Sequence, residues 1–374
     1  MTDSLHTGGR RTTGPGVPGA RERTAPDLRR HGIDRATFSA LATARGGAEA
    51  VRLLRAGQLS KRALLLVALR RAVPAAEREA FEQAYAEVCA LQESDRAGWE
   101  RLLLRPEFDA WAAGCLQRLA AGGPAPLGGL AGFLRPPGPE PVRVPLDCDG
   151  LRWEPVITDR GPYRDLYGHP PAGPLEPAEL DEWRALLADA WQILVRRHPW
   201  HAEAVRACVG TLVPLRPAPD GEAVSAAARR AYGAVAVSRP AEPVLLALAL
   251  VHEFLHVQLG ALMDLVPLHR PNGEARYHAP WRPDPRPAGA LLQGTYAHLG
   301  VTDFWRGELA AGAPGGARAA REYRHWRGHT ATAAATLLAS GELTPAGVRF
   351  TEELARGLPG LTHSHAGAVA EGSR

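Results

Sequence analysis

The chain has 374 residues, 45% of them hydrophobic and 22% charged, with a formal net charge of +4. Those proportions belong to a folded globular protein with length enough for one large domain or two medium ones. So small a charge, with no basic stretch interleaved with aromatics, argues against nucleic-acid binding.

Cys89, Cys115, Cys148 and Cys208 are widely spaced with no C-x-x-C, which indicates neither a zinc knuckle nor a disulfide framework. They suit a reducing cytoplasm. The N-terminus lacks the apolar centre of a signal peptide, and no run reaches about 18 uninterrupted apolar residues. Neither secretion nor membrane spanning is expected.

Residues 1–30 hold almost no large apolar side chains and read as a disordered tail. Residues 31–121 form a helical region. Leucines and aromatics such as Leu53, Leu54, Phe81, Tyr85, Trp99 and Trp111 recur there at three- and four-residue spacings, with Pro74 placed to open a helix. Residues 122–141 are dense in Gly and Pro and read as a linker. From 142 to 361 a metal-binding catalytic domain is expected. It begins with short strands in 142–146 and 151–157 around an Asp149-Gly150 turn, their prolines favouring edge positions. A helix follows over about 176–197, with charge at its exit explaining His198 better than metal binding by His198 and His201. After it come a strand at 209–215, a short helix at 224–230 and a strand at 232–238. The composition gives a mainly α fold with a small β-sheet, in the α+β class.

The central motif is Val251-His252-Glu253-Phe254-Leu255-His256, inside an apolar run over about 243–267. Residues four apart on a helix are offset by only about 40°. His252 and His256 can therefore present both imidazoles to one metal ion, with Glu253 at its flank. In zinc proteases this pattern supplies two ligands and a general base. The bland alternative is a core helix with two histidines on its polar face. Residues 245–251, apolar all round, argue for burial. Burying two imidazoles and a carboxylate unpaired costs roughly several kcal/mol, which an ion would offset.

A catalytic metal needs a third protein ligand. The extension H-E-x-x-H-x-x-G-x-x-H fails, because Leu259 and Leu262 occupy its Gly and last His positions, and no glutamate follows soon on a second helix. The candidates are His269, His278, His298 and Asp303. His298 is preferred because it lies in a second apolar helix, about 289–305, which can pack on the first. A core histidine satisfied by a carbonyl is the alternative there. His269, just past Pro267, is expected at the surface.

Between the helices runs Tyr277-His278-Ala279-Pro280-Trp281-Arg282-Pro283-Asp284-Pro285-Arg286-Pro287. Each proline forces extended geometry on the residue before it. In a ribbon of three residues per turn, Arg282 and Arg286 point about 120° apart, so at most one faces the metal. Two readings stay open: a rigid connector with Arg–Asp pairing, or a carboxylate site using the guanidinium fork.

The stretch from about 234 to 305, with V-H-E-F-L-H-V-Q-L-G-A-L-M-D-L-V-P-L, then P-W-R-P-D-P-R-P, then Q-G-T-Y-A-H-L-G-V, resembles the HExxH-motif domain proteins encoded with ribosomally made, post-translationally modified peptides. The helical region before it is similar in plan. The resemblance implies a zincin-like scaffold carrying an iron(II)- and 2-oxoglutarate-dependent peptide β-hydroxylase. Its iron would be held by His252, His256 and His298, and Arg282 or Arg286 would bind the distal carboxylate of 2-oxoglutarate. The implied substrate is a precursor peptide, and a radical-SAM maturase encoded nearby is an implied partner. Glu253 would then orient a ligand or bound water. Three histidines depart from the two-His-one-carboxylate set of such oxygenases, so Asp303 and Glu253 remain alternative ligands. The competing expectations are a zinc metallopeptidase with Glu253 as base, and a peptide-binding protein without catalysis.

Helices over about 315–340 and 344–357 close the chain. Arg321, Arg324, His325, Arg327 and His329 make the first of them basic, as a solvated face or as a dock for an acidic leader peptide. Residues 362–374 read as a loose tail.

Overall fold

The N-terminal region is helical, as the three- and four-residue spacing requires. Its elements are α1 (Arg35–Ala42), α2 (Gly47–Ala72), α3 (Arg78–Ser94), α4 (Arg96–Leu103), α5 (Pro106–Ala120) and α6 (Gly129–Leu134). Asp34 and Asp95 cap α1 and α4 by accepting from the amides of Thr37 and Gly98, both at 2.8 Å. Pro74 precedes a single 3₁₀ turn that leads into α3. The structure is a computed structural model that describes residues 31–135, 141–271, 273–312 and 315–358. Both expected loose tails, 1–30 and 362–374, lie outside the described residues.

The stretch expected to be linker is partly helix. Leu127 and Leu130, at and just before α6, are buried in a cluster with Trp99, Phe108 and Trp111, and the Trp111 indole donates to the Pro126 carbonyl at 2.9 Å. Burying two leucines outweighs the turn-forming bias of the surrounding Gly and Pro.

The strands follow: β1 (Val142–Arg143), β2 (Leu146–Cys148), β3 (Leu151–Trp153) and β4 (Val156–Ile157). β2 and β3 form a hairpin in which Asp149 and Gly150 both take positive φ, 51° and 81°. That is the signature of a two-residue type I′ turn, as Asp-Gly favours. α7 (Pro177–Arg197), with a Glu176–Glu179 capping box, and α8 (Pro199–Cys208) cross to β5 (Thr211–Leu215), which runs parallel to β4. β6 (Ser225–Ala226) and β7 (Ala234–Ser238) complete a five-stranded sheet in the order β1-β4-β5-β7-β6. Here the expected helix at 224–230 gives way to an edge strand, antiparallel to β7. Its alanine-rich sequence tolerates either state, and pairing with the wholly buried β7 decides.

α9 (Pro243–Met263) carries the His-Glu motif. It is long and apolar enough to cross a membrane by length and composition, but 67% of its most apolar window is buried inside the protein. After it come the hairpin β8 (Tyr277–Ala279) and β9 (Arg282–Arg286), then α10 (Ala288–Ala310), α11 (Gly316–Ala339) and α12 (Pro345–Gly357). The fold is mainly helical with a small mixed sheet. All four cysteines carry free thiols.

From His31 onward the described residues belong to one compact unit. Its main apolar cluster joins the sheet, α7, α9 and α10 to Leu41, Val51 and Leu54 of the first two helices. A second cluster fills the N-terminal helices, and α2 serves both, giving Leu59, Leu66 and Leu69 to it.

α9 and α10 run antiparallel, since Gly300 faces Val251 and Leu255 while Gly260 lies opposite Gln293. A Cβ on Gly300 would overlap the buried Leu255 side chain and crowd Val251. Gly300→Ala should therefore lower stability by about 1–3 kcal/mol, as overpacking does. Gly328→Ala on α11, with nothing within 4 Å of the added methyl, should be neutral or raise stability by up to about 1 kcal/mol. Urea-unfolding midpoints check both; an unshifted midpoint for Gly300→Ala would contradict the close contact.

Candidate metal centre

His252 and His256 lie one turn apart on α9 and turn their Nε2 atoms toward each other at 3.3 Å. Two nitrogens each about 2.0–2.1 Å from a tetrahedral ion lie about 3.3 Å apart, so this spacing suits a shared metal. It also suits an N–H···N hydrogen bond between the rings. His256 Nδ1 donates to Gln293 Oε1 of α10 at 3.2 Å, which leaves the His256 Nε2 lone pair facing inward. Burial, and then the neighbouring His256 and His298 rings, push the His252 pKa well below its usual value. A neutral imidazole is the form that ligates.

His298 approaches from α10. Its ring lies 5.1 Å from that of His252 and nearly perpendicular to it. Its Nδ1 donates to the Gly294 carbonyl at 2.8 Å, which assigns the lone pair to Nε2. Burial pushes its pKa down to about 4. The carbonyl partner expected of a satisfied core histidine is thus present, and so is proximity to the motif pair. Among the described residues no three His, Cys, Asp or Glu side chains are drawn together as a closed ligand set. The structure brings together a facing pair with a third imidazole one ring away. A donor set of neutral imidazoles, two of them fixed by hydrogen bonds at Nδ1, fits a divalent transition metal.

Glu253 is 3% exposed. Its Oε1 accepts from Ser225 Oγ at 2.7 Å and lies 3.9 Å from His252 Nε2. Burial raises its pKa, opposed by His256 and by hydrogen bonds from Ser225 and the Ala227 amide. Both hydrogen-bond partners belong to edge strand β6 or the residue after it, so the segment taken from sequence as a helix is the one that holds the motif's glutamate.

His252, Glu253 and His256 line a cavity of about 650 Å³ that also touches β6, Gln293 and the start of α10. Neither Arg282 nor Arg286 is among its lining residues. They lie on a paired strand, where residues two apart share a face, and both bind Asp284 between them, at 2.6 and 3.2 Å. The threefold ribbon geometry is thus replaced by a twofold one, because β9 pairs with β8. Of the two readings left open, the structure has the Arg–Asp connector. The guanidinium-bearing residues that line the cavity are Arg229 and Arg270. Arg229 pairs with Asp264 at 2.5 Å, whereas Arg270 has no ion pair among the described residues. His269, expected at the surface, is half-buried and also lines the cavity.

Asp303 is turned away from the imidazoles. It binds His201 Nε2 at 2.9 Å, Arg45 at 2.6 Å and Arg306 at 2.7 Å. His198 likewise binds Glu308 at 2.8 Å. Neither histidine of that pair reaches the motif, and Asp303 does not stand as a ligand here. His278 is exposed on β8. Sequence reasoning missed Ser225, Gln293 and two tryptophans, Trp281 and Trp326, that stack on His298. Only Gly294, one turn before His298, carried a local signal.

Burial would raise the Asp303 pKa, but His201, Arg45 and Arg306 outweigh it and hold the carboxyl well below its usual range. Its stabilisation is complete above the unfolded pKa of about 3.9 and is lost as pH falls toward the lower folded value. Asp303→Asn should cost about 3 kcal/mol at neutral pH. That difference from wild type should shrink below about pH 4, and bound cobalt(II) per chain should stay unchanged. Unfolding titrations across pH with metal analysis check this; loss of metal in Asp303→Asn would restore Asp303 as a ligand.

Comparison with protein-family models gave no match, and comparison with curated proteins gave none either.

Proposed function

We propose that this protein is an iron(II)- and 2-oxoglutarate-dependent hydroxylase acting at Cβ of a residue in a ribosomally made peptide. The observation that carries the metal-centred part is the facing pair of Nε2 atoms, 3.3 Å apart, beside the cavity. The resemblance of residues 234–305 to the peptide-modifying HExxH proteins supports iron and 2-oxoglutarate over other metal chemistry. When bound, that pair supplies the oxidant that inserts one oxygen atom from dioxygen into a C–H bond, with 2-oxoglutarate decarboxylated to succinate.

The chain's own residues divide the remaining work. His252 and His256, with His298 as third ligand, hold the ion. Gln293 keeps the His256 lone pair inward. Glu253, held by Ser225 and the Ala227 amide, keeps one edge of the site polar without needing to act as a base. Arg270, the cavity guanidinium with no ion pair among the described residues, takes the distal carboxylate of 2-oxoglutarate, the role first expected of Arg282 or Arg286. A cavity of about 650 Å³ suits a small dicarboxylate together with one peptide side chain. β6 ends the sheet beside that cavity, so an extended peptide can pair with its outer edge.

A zinc peptidase is the second reading. It is favoured by Glu253 lying 3.9 Å from His252 Nε2 with a raised pKa, as a general base needs.

Anaerobic loading with iron(II), followed by 2-oxoglutarate, oxygen and a precursor peptide encoded beside the gene, separates the two in one mass-spectrometric assay. Gain of one oxygen that depends on 2-oxoglutarate is expected. Cleavage of the peptide with zinc and no oxygen gain would overturn the proposal in favour of the peptidase. Arg270→Ala should raise KM for 2-oxoglutarate at least about tenfold, the worth of a charge-assisted bond, whereas Arg282→Ala should leave it unchanged. The reverse pattern would return the cosubstrate to the β9 arginines.

A further inference from the structure

His298 stands between two indoles. Trp281, from the turn between β8 and β9, stacks on it at 4.3 Å between ring centroids with planes 24° apart. Trp326 of α11 stacks at 4.5 Å and 25°. Two rings near-parallel to one imidazole at these distances cannot share a face, so they cover opposite faces. The Nδ1 edge is held by the Gly294 carbonyl, and the His252 ring meets His298 edge-on. A single hydrogen bond would still let the ring swing about its side-chain axis, since the second torsion of an imidazole is broad. The stacked indoles remove that freedom.

Gly294 joins the two restraints. It accepts the His298 bond, and a Cβ there would come within 2.5 Å of the Trp281 ring. The same backbone position thus supplies the acceptor and the space for the indole. The Pro-rich hairpin, whose Arg282 and Arg286 pair with Asp284 away from the cavity lining, delivers Trp281.

We propose that Trp281 and Trp326 are positioning residues that set the orientation of His298 as the third metal ligand. This rests on the metal-centred reading above, with His298 in the ligand set. Neither tryptophan contacts the ion; each acts through the imidazole it covers.

Cobalt(II) is the probe, with affinity measured by competition against a chromophoric chelator and geometry by the d–d absorption spectrum. Trp281→Ala and Trp326→Ala should each weaken cobalt binding about ten- to a hundredfold, as loss of an orienting partner does, and should alter the d–d bands. Trp326→Phe should recover most of the affinity by restoring a stacked face. In a His298→Ala background neither alanine substitution should weaken cobalt further, since there is no third ligand left to orient. Thermal melting of each metal-free variant identifies any that is unfolded, and the Phe variant then carries the comparison.

Wild-type affinity and spectrum in both folded alanine variants would overturn the positioning role and leave the metal centre standing. An equal further loss in the His298→Ala background would also overturn it, by showing a general structural effect. Failure of the wild-type chain to bind cobalt at all would overturn the metal-centred reading, and the inference with it.

Discussion

The approach of α9 to α10 is the contact on which the site depends. Gly300 lets the second helix settle against Val251 and Leu255, and a methyl there would hold the two apart. At that separation Gln293 reaches His256, and His298 comes within a ring of His252. None of these side chains is long, so a shift of an ångström or so between the helices would break the hydrogen bond and widen the gap between imidazoles. Apolar burial along α9 supplies the adhesion. The face that carries the imidazoles is thus built into the core.

The charges buried near α10 are kept apart from that face. His298 and Asp303 are five residues apart, about 140° around the helix. One points to the imidazoles and the other to Arg45, His201 and Arg306. Glu308 repeats the pattern with Arg197 and His198. Breaking either network would leave an uncompensated charge in the interior. Just past α9, Asp264 binds Gln58, Lys61 and Arg229, tying α2 to the end of that helix. Asp303, Glu308 and Asp264 are therefore held in ion pairs, while His252 and His256 turn their Nε2 atoms toward each other.

Residues whose placement follows from their own helix were legible in the sequence. His252 and His256 are set one turn apart by the α-helical repeat, and His298 lies in an apolar stretch that reads as a second helix able to pack on the first. The Asp149-Gly150 hairpin and the boundaries of α7 and α12 follow from turn and capping chemistry. What failed depends on partners distant in sequence. Residues 224–230 have the alanines of a helix, and only pairing with β7 makes Ser225 and Ala226 a strand. For Arg282 and Arg286 the sequence left a connector and a carboxylate site both open and gave the ribbon a threefold repeat, because proline spacing says nothing about a pairing strand, and pairing with β8 turns that repeat from three to two. Trp281 and Trp326 were given no role from sequence, since nothing local shows that both stack on one imidazole.

The double membership of α2 bears on how this chain can be divided. Its first half packs with the sheet and α9, and its second half with the remaining N-terminal helices. A cut in the Gly/Pro-rich stretch near residue 130, where sequence suggests a border, would strip Leu41, Val51 and Leu54 from the larger core. The fragment starting at β1 would then present the apolar surface they cover to water. The helices ahead of the sheet are less an appended module than a wall of the same interior, and a shortened protein lacking them would lose part of what keeps the imidazole pair in place.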